Sequence, residues 1–322
     1  MGTRPPAKAG SWYVSDAETL NEELDEYLSR VPDSINGSPS PIAGARMVIA
    51  PHAGFTYSGP CAAWAYKLLD VSRAKRVFLL GPSHTYYLSG CAVTTFDRYQ
   101  TPFGALEVDR ETVDRVKQAG GFGDIPPRKD TAEHSLEMHT PYIYKRLEQE
   151  FGSDDPAANF PKLVPILIGD NDGAEEKEVA KVLAPYLADP ESVFVVSSDF
   201  CHWGGNFSYT VHAPDGDWRG NLQRLRSRDR NAPAGIPIHE TIRLVDQAAM
   251  DAVESGSHDA FVSNLALTGN TVCGRHPIGV AMAALELLGG KSRFKVVQYQ
   301  RSNLVQSPSD FSVSYVSAYA VV

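Results

Sequence analysis

Three short apolar runs in this chain end in the same way. "MVIAPHAGFTYSG", Met47 to Gly59, passes from a strand-like segment into Pro51, His52 and Gly54. "RVFLLGPSH", Arg76 to His84, ends on Gly-Pro and His84, and "SVFVVSSDFCHWGG", Ser192 to Gly205, ends on Asp199, Cys201 and His202. A fourth run, Leu163–Ile168, is similar in length. Helical spacing fills several of the gaps, over Cys61–Leu69, Pro141–Glu150 and Glu176–Leu187. Apolar runs of strand length alternating with helices predict βαβ units and a largely parallel sheet. Ligand-binding groups in such a sheet gather outside the carboxyl ends of the strands. Parallel pairing would therefore bring His52, His84, Asp199 and His202 to one edge, although they are far apart in sequence. A single histidine after a strand is ordinarily a turn residue; the repetition is what suggests a site.

The flanks qualify the parallel picture. Ser15 with Glu18 three residues on has the form of a capping box, and Leu20, Leu24, Tyr27 and Leu28 follow at helical spacing. Near the C-terminus, Phe311, Val313 and Tyr315 alternate with Ser312 and Ser314, predicting a strand with one polar face, and "VVQYQRSNLV" pairs beside it. The expected fold is thus α/β: a mixed, largely parallel central sheet flanked by helices. No repeat or low-complexity boundary divides the chain, so residues 1–322 read as one domain. The arginines Arg219, Arg224, Arg226, Arg228 and Arg230 fall in an irregular stretch with Asp215, Asp217 and Asp229, which reads as a solvated surface loop rather than an anion site.

Composition narrows the function. A formal net charge of −9 over 322 residues argues against non-specific binding to nucleic acid or to an anionic membrane. No apolar stretch approaches the roughly 20 residues that span a bilayer, and "MGTRPPAKAG" lacks the apolar segment of a signal peptide. Cys61, Cys91, Cys201 and Cys273 form no C-x-x-C pair, which suits a reducing compartment better than a disulfide scaffold. The expectation is a soluble, cytoplasmic protein, with the nucleus also open to it.

Two further stretches carry candidate chemistry. In "NTVCGRHPIGVAMAALELL", Pro277 suits a first helical turn, so Cys273 lies just ahead of a helix N-terminus, where the dipole favours a thiolate. His276 beside it reads as a capping or packing residue. In "EHSLEMHTPYIYKRLEQE", Thr140 and Pro141 read as N-cap and first helical residue, with His139 just outside; a longer, proline-kinked helix is the alternative. No H-E-x-x-H or G-x-S-x-G pattern occurs, so neither a zincin nor an α/β-hydrolase elbow is indicated. A zinc hydrolase with Glu137 or Asp199 as general base is a weaker reading. Cys61 and Cys201 read as buried; Trp12 and Tyr13 suit either a cleft wall or the core.

Taken together, "APHAGFTYSG", "LLGPSH", "EHSLEMHTPY", "VVSSDFCHWG" and "CGRHPIGV" resemble the Memo family, in order and over most of the chain. That family is named for a mediator of receptor-tyrosine-kinase-driven cell motility. Its fold is similar to that of the class III extradiol dioxygenases, non-haem iron enzymes that cleave catechol rings. The resemblance implies His52, His84 and Cys273 as a metal-binding set, with Asp199 and His202 lining the same pocket in catalytic roles. Iron(II) is the expected metal, with copper or zinc as alternatives. Dioxygenases of this class hold iron with two histidines and a carboxylate; a cysteine in the third position is softer and itself oxidisable, so ring cleavage is not expected. Two functions follow from the resemblance. One is a redox metalloprotein that reduces oxygen. The other is a non-enzymatic signalling adaptor whose relic pocket binds a peptide or small ligand, with signalling proteins or phosphopeptides as the expected partners.

Overall fold

A computed structural model describes residues 2–35, 37–229 and 231–322 of the chain. Arg230, named above, falls outside them. The main sheet has nine strands: β1 (Ala45–Ala50), β2 (Arg76–Pro82), β3 (Cys91–Val93), β4 (Phe122–Asp124), β5 (Lys162–Ile168), β6 (Ser192–Ser197), β7 (Asp199–Trp203), β8 (Lys295–Arg301) and β9 (Ser312–Val321). Their order is β7-β9-β1-β6-β2-β5-β3-β4, with β8 paired to β9 as well. The four central strands β1, β6, β2 and β5 are parallel, as their apolar runs predict. Every residue of β1 and β6 is buried, which is why these strands read as continuous apolar runs and not as alternating ones. Antiparallel pairs lie at the margins: β7, β8 and β1 against β9, and β3 against β5.

Register brings the site together. Ala50 of β1 is level with Ser197 of β6, and Leu80 of β2 with Val196. His52, His84 and Asp199 each follow the end of their strand by two residues, so they reach the same edge. Asp199 opens a strand of its own, however. β7 pairs with β9 through an irregularity between Asp199 and His202, so His202 sits within a strand and not in a loop.

Helices α1 (Ala17–Ser29), α2 (Phe55–Leu68), α3 (His134–Glu137), α4 (Thr140–Phe151), α5 (Gly173–Ala188), α6 (Ile238–Glu254), α7 (His258–Thr268) and α8 (Arg275–Leu287) are the ones that bear on the site. α2 packs on β1 and β9, and α5 and α8 pack on each other and on β6. The cap of α1 is Asp16, whose carboxylate accepts from the Thr19 N–H at 2.9 Å, one residue beyond the expected Ser15. His139 is itself the cap of α4, and α3 is a separate turn of helix, so there is no long kinked helix.

The C-terminal strand departs from its expected one-sided pattern. Ser312, Ser314 and Ser317 of β9 are buried, and Phe311, just before the strand, is 55% exposed. Ser317 lets α2 lie close, its hydroxyl donating to the Cys61 carbonyl at 2.7 Å, while Ser314 faces the Tyr299 hydroxyl at 3.4 Å. Beside the main core a second cluster forms from Cys201, Trp203, Tyr209, Val211, Ile238, Ile242, Val245 and Val305. Trp218, Leu222 and Leu225 of the arginine-rich stretch pack against it, while Arg219, Arg224, Arg226 and Arg228 face outward. Among the described residues no helix is long and apolar enough to cross a membrane.

Candidate metal centre

The turn after β1 is fixed from beneath. Asp199 is buried, and its Oδ1 accepts the His52 backbone N–H at 2.8 Å, tying the ends of β1 and β6 together. The His52 ring is 2% exposed, with Nδ1 at 2.6 Å from the Ser197 hydroxyl. That hydroxyl donates its own hydrogen to the Ser135 carbonyl at 2.7 Å, so it can only accept from the ring. His52 is therefore the Nδ1–H tautomer, and its Nε2 lone pair faces outward, 3.2 Å from the Cys273 sulfur.

His84 is pinned in the same sense by a different group. Its Nδ1 donates to Glu133 Oε1 at 2.9 Å. Glu133 is wholly buried, which alone would raise its pKa. The hydrogen bonds and positive charge of its neighbours, His84 first, hold it down to about 2. It also accepts the backbone N–H groups of His84, Thr85 and Ser135, and it caps α3. A carboxylate behind a histidine fixes the tautomer and makes the opposite nitrogen a better donor.

Cys273 comes from the turn that leads into α8. Its sulfur accepts the Asp199 N–H at 3.2 Å, and its own N–H donates to the Asp199 carbonyl at 3.3 Å. Gly274 makes this approach possible, since a Cβ there would stand 2.3 Å from the Ser197 carbonyl oxygen and 2.3 Å from the Ser198 Cβ. Position ahead of a helix predicts a thiolate. Burial instead pushes the Cys273 thiol well above its ordinary range, and the nearby Asp199 adds to this. In this chain a cation is what would make the thiolate the stable form.

The three candidate ligand atoms of His52, His84 and Cys273 all lie within 4.8 Å of one another. A tetrahedral ion bonded at about 2.0–2.3 Å separates its nitrogen and sulfur ligands by about 3.5 Å, against 3.2 Å between His52 and Cys273. Burial holds the His52 imidazole far below its usual pKa, with His84 contributing, so it is neutral and able to ligate. The donor set fits a borderline or soft first-row metal.

The pocket around these groups has a volume of about 520 Å³. His202 lines it with Nδ1 facing two carbonyls, Phe200 at 2.9 Å and Thr271 at 3.2 Å. Carbonyls only accept, so this ring too carries its hydrogen on Nδ1 and keeps Nε2 as the lone-pair nitrogen. His134 stacks on His84 (ring centroids 4.3 Å) and leans on Trp12 (4.6 Å); burial, with His84 beside it, lowers its pKa to about 3. Among the described residues no lysine or arginine lines the pocket.

The five residues singled out as metal-binding or catalytic all reach this pocket. Glu133, Ser197 and His134 also shape it, and the sequence reading gave them no role. Glu137 is not free to act as a base. It is buried and accepts from Arg4 (2.7 Å), Tyr13 (2.9 Å) and the Ala7 and Lys8 N–H groups (3.1 and 2.6 Å), so it anchors the N-terminal segment. His276 packs as expected, with Nδ1 at 2.7 Å from Glu176, which also takes His258 at 2.6 Å.

The sequence profile of the Memo-like protein family matches residues 4–319. Protein MEMO1 of Xenopus laevis is 39% identical over 322 residues, covering 99% of this chain and 97% of that protein. Protein MEMO1 of Danio rerio is 38% identical, covering 100% and 98%. A MEMO1 family protein of Schizosaccharomyces pombe is 36% identical, covering 98% of each.

Proposed function

The chain belongs to the Memo family, and from that premise we propose that it is a redox metalloprotein. In this reading His52, His84 and Cys273 hold one first-row transition metal. Iron(II) is the ion we assign, with copper and zinc as the competitors these donors would also accept. The observation that carries the reading is the pair of imidazoles. Both are held as Nδ1–H tautomers by buried acceptors; His52 turns Nε2 toward the Cys273 sulfur, and a ring nitrogen of His84 lies within 4.8 Å of both. The packing histidine His276 also has a buried carboxylate behind Nδ1; what sets His52 and His84 apart is that their ligand atoms converge with one sulfur.

When bound, iron or copper supplies one-electron exchange with oxygen species. The chain's own groups do the rest. Ser197 and Glu133 hold the ring hydrogen on Nδ1, which makes Nε2 the nitrogen that would face the metal. Asp199 holds the His52 turn and lies beside the sulfur, and His202 offers Nε2 as a proton acceptor on the pocket wall. Trp12, Phe207 and Val313 give the pocket an apolar wall. The absence of a lining cation weighs against a phosphopeptide as the occupant, since phosphate recognition ordinarily uses arginine or lysine.

Anaerobic calorimetry with iron(II), copper(I) and zinc(II), on the wild type and on Cys273→Ser, tests the assignment. One saturable equivalent that weakens at least tenfold in the variant is expected. Absence of binding by all three ions leaves the pocket to the adaptor reading.

A further inference from the structure

The metal pocket is not closed on its outer side. A groove of about 580 Å³ adjoins it, and the two share Trp12, Ala53 and Val313 as walls. Rings run along the passage. His202 meets Phe207 edge-on (5.1 Å), and Phe207 meets Phe311 (6.5 Å). Phe311 is held close by Gly204, where a Cβ would stand 2.6 Å from the Phe311 Cβ and where φ is +137°.

The groove's lining has two unusual properties. It contains no Asp, Glu, Lys or Arg; its polar members are Ser11, Ser302, Asn303 and two phenols. It also gathers exposed apolar surface. Of the eight large apolar side chains that the described residues expose, Trp12, Tyr57 and Phe311 line this groove, and Leu304 adjoins Asn303. Scattered singly such residues need no explanation, but a contiguous group beside a polar pocket marks a binding surface. Both volumes fall within the roughly 300–1,000 Å³ of small-molecule sites.

We infer that the groove binds an uncharged small molecule with an aromatic body, which lies along Trp12, Tyr57 and Phe311 and directs a polar end into the metal pocket. The charge pattern selects this occupant. An anionic ligand would meet no lining cation in a chain of net charge −9, and among the described residues Lys8 is the one cation that stacks on a lining ring, 5.6 Å from the Trp12 centroid. An anion would lose hydration without gaining a partner, and a cation would find the Trp12 face already taken by Lys8. Continuity with the pocket favours a molecule that reaches inward over a flat partner surface. The place of the polar end rests on the metal reading; the place of the aromatic body does not.

The test uses the full chain without added metal and the neutral fluorophore N-phenyl-1-naphthylamine. The expected result is one saturable site, with Trp12 emission quenched in step and lost in Trp12→Phe. Phe311→Asp and Tyr57→Asp should each weaken binding about tenfold or more by placing a charge in the apolar wall; both positions are more than half exposed, so folding is unaffected. Leu267→Asp, at an exposed apolar residue outside the groove, should change nothing. The same titration with and without a chelator should agree, which separates this result from failure of the metal site. Non-saturable binding, indifference to both groove substitutions, or tighter binding of 1-naphthyl phosphate than of the neutral probe would overturn the inference. So would a dimer that Phe311→Asp converts to monomer, since a second copy would then own the groove.

Discussion

Glu133→Gln is the most informative single change, because the substitution is nearly isosteric and its consequences can be worked out bond by bond. Oε1 of Glu133 accepts from His84 Nδ1 (2.9 Å) and the Ser135 N–H (3.0 Å), and Oε2 from the His84 N–H (2.6 Å) and the Thr85 N–H (3.2 Å). All four partners are donors. Whichever way a glutamine amide turns, its NH₂ faces two of them. Leaving two buried donors without acceptors costs about 1–3 kcal/mol each, so stability should fall by about 2–6 kcal/mol. In one orientation His84 also loses the acceptor that fixes its tautomer. Outer partners of this kind change metal affinity about 10–100-fold. Glu137→Gln is the matched control: that carboxylate is equally buried and also faces only donors, but none is an imidazole. Urea melts together with competitive zinc titration measure the two effects separately. Both variants should lose stability, and only Glu133→Gln should lose metal affinity. Equal affinity in the two folded variants would refute the claim that Glu133 acts through His84.

Three further outcomes follow from other contacts. Ser197→Ala removes the acceptor behind His52 and should lower zinc affinity about tenfold with a stability loss of about 1 kcal/mol; unchanged affinity would mean that the tautomer is set elsewhere. Gly274→Ala places a methyl against the Ser197 carbonyl and Ser198. It should destabilise by about 1–3 kcal/mol and displace the buried sulfur, read as a faster reaction of Cys273 with a thiol reagent; an unchanged rate would mean that the turn absorbs the methyl in place. Glu176→Gln breaks a buried pair in which hydrogen bonding to Glu176 raises the His258 pKa, while His258 and His276 hold the Glu176 carboxyl below its usual range despite burial. The His258 contribution is complete below its unfolded pKa of about 6.5 and fades as pH rises through its higher folded value. The Glu176 contribution is complete above about 4.5 and fades as pH falls through its lower folded value. The stability gap between wild type and variant should therefore be about 3 kcal/mol near pH 5.5 and smaller at pH 9. A gap independent of pH would assign the pair to shape alone.

How much of this was legible beforehand depends on range. β1, β2, β5 and β6 were visible because strands buried on both faces must be apolar throughout, and their level ends followed from parallel pairing. His52, His84 and Asp199 were visible for the same reason. Glu133 and Ser197 were not, since their roles depend on which donor each faces across the fold, and a buried glutamate reads in sequence like an exposed one. β9 misled in the opposite direction: Ser312 and Ser314 look solvated but are buried, Ser314 beside Tyr299 of β8. The Cys273 expectation followed helix geometry, while its surroundings are dominated by burial, which no local pattern reveals.

The central claim is that two histidine nitrogens and one cysteine sulfur hold the same ion. X-ray absorption at the metal edge of protein loaded anaerobically with one equivalent of iron(II) measures this most directly. The account predicts one sulfur neighbour at about 2.3 Å beside imidazole nitrogens, with the sulfur shell absent in Cys273→Ser and one imidazole fewer in His84→Ala. A shell of nitrogen and oxygen alone in the wild type would contradict it.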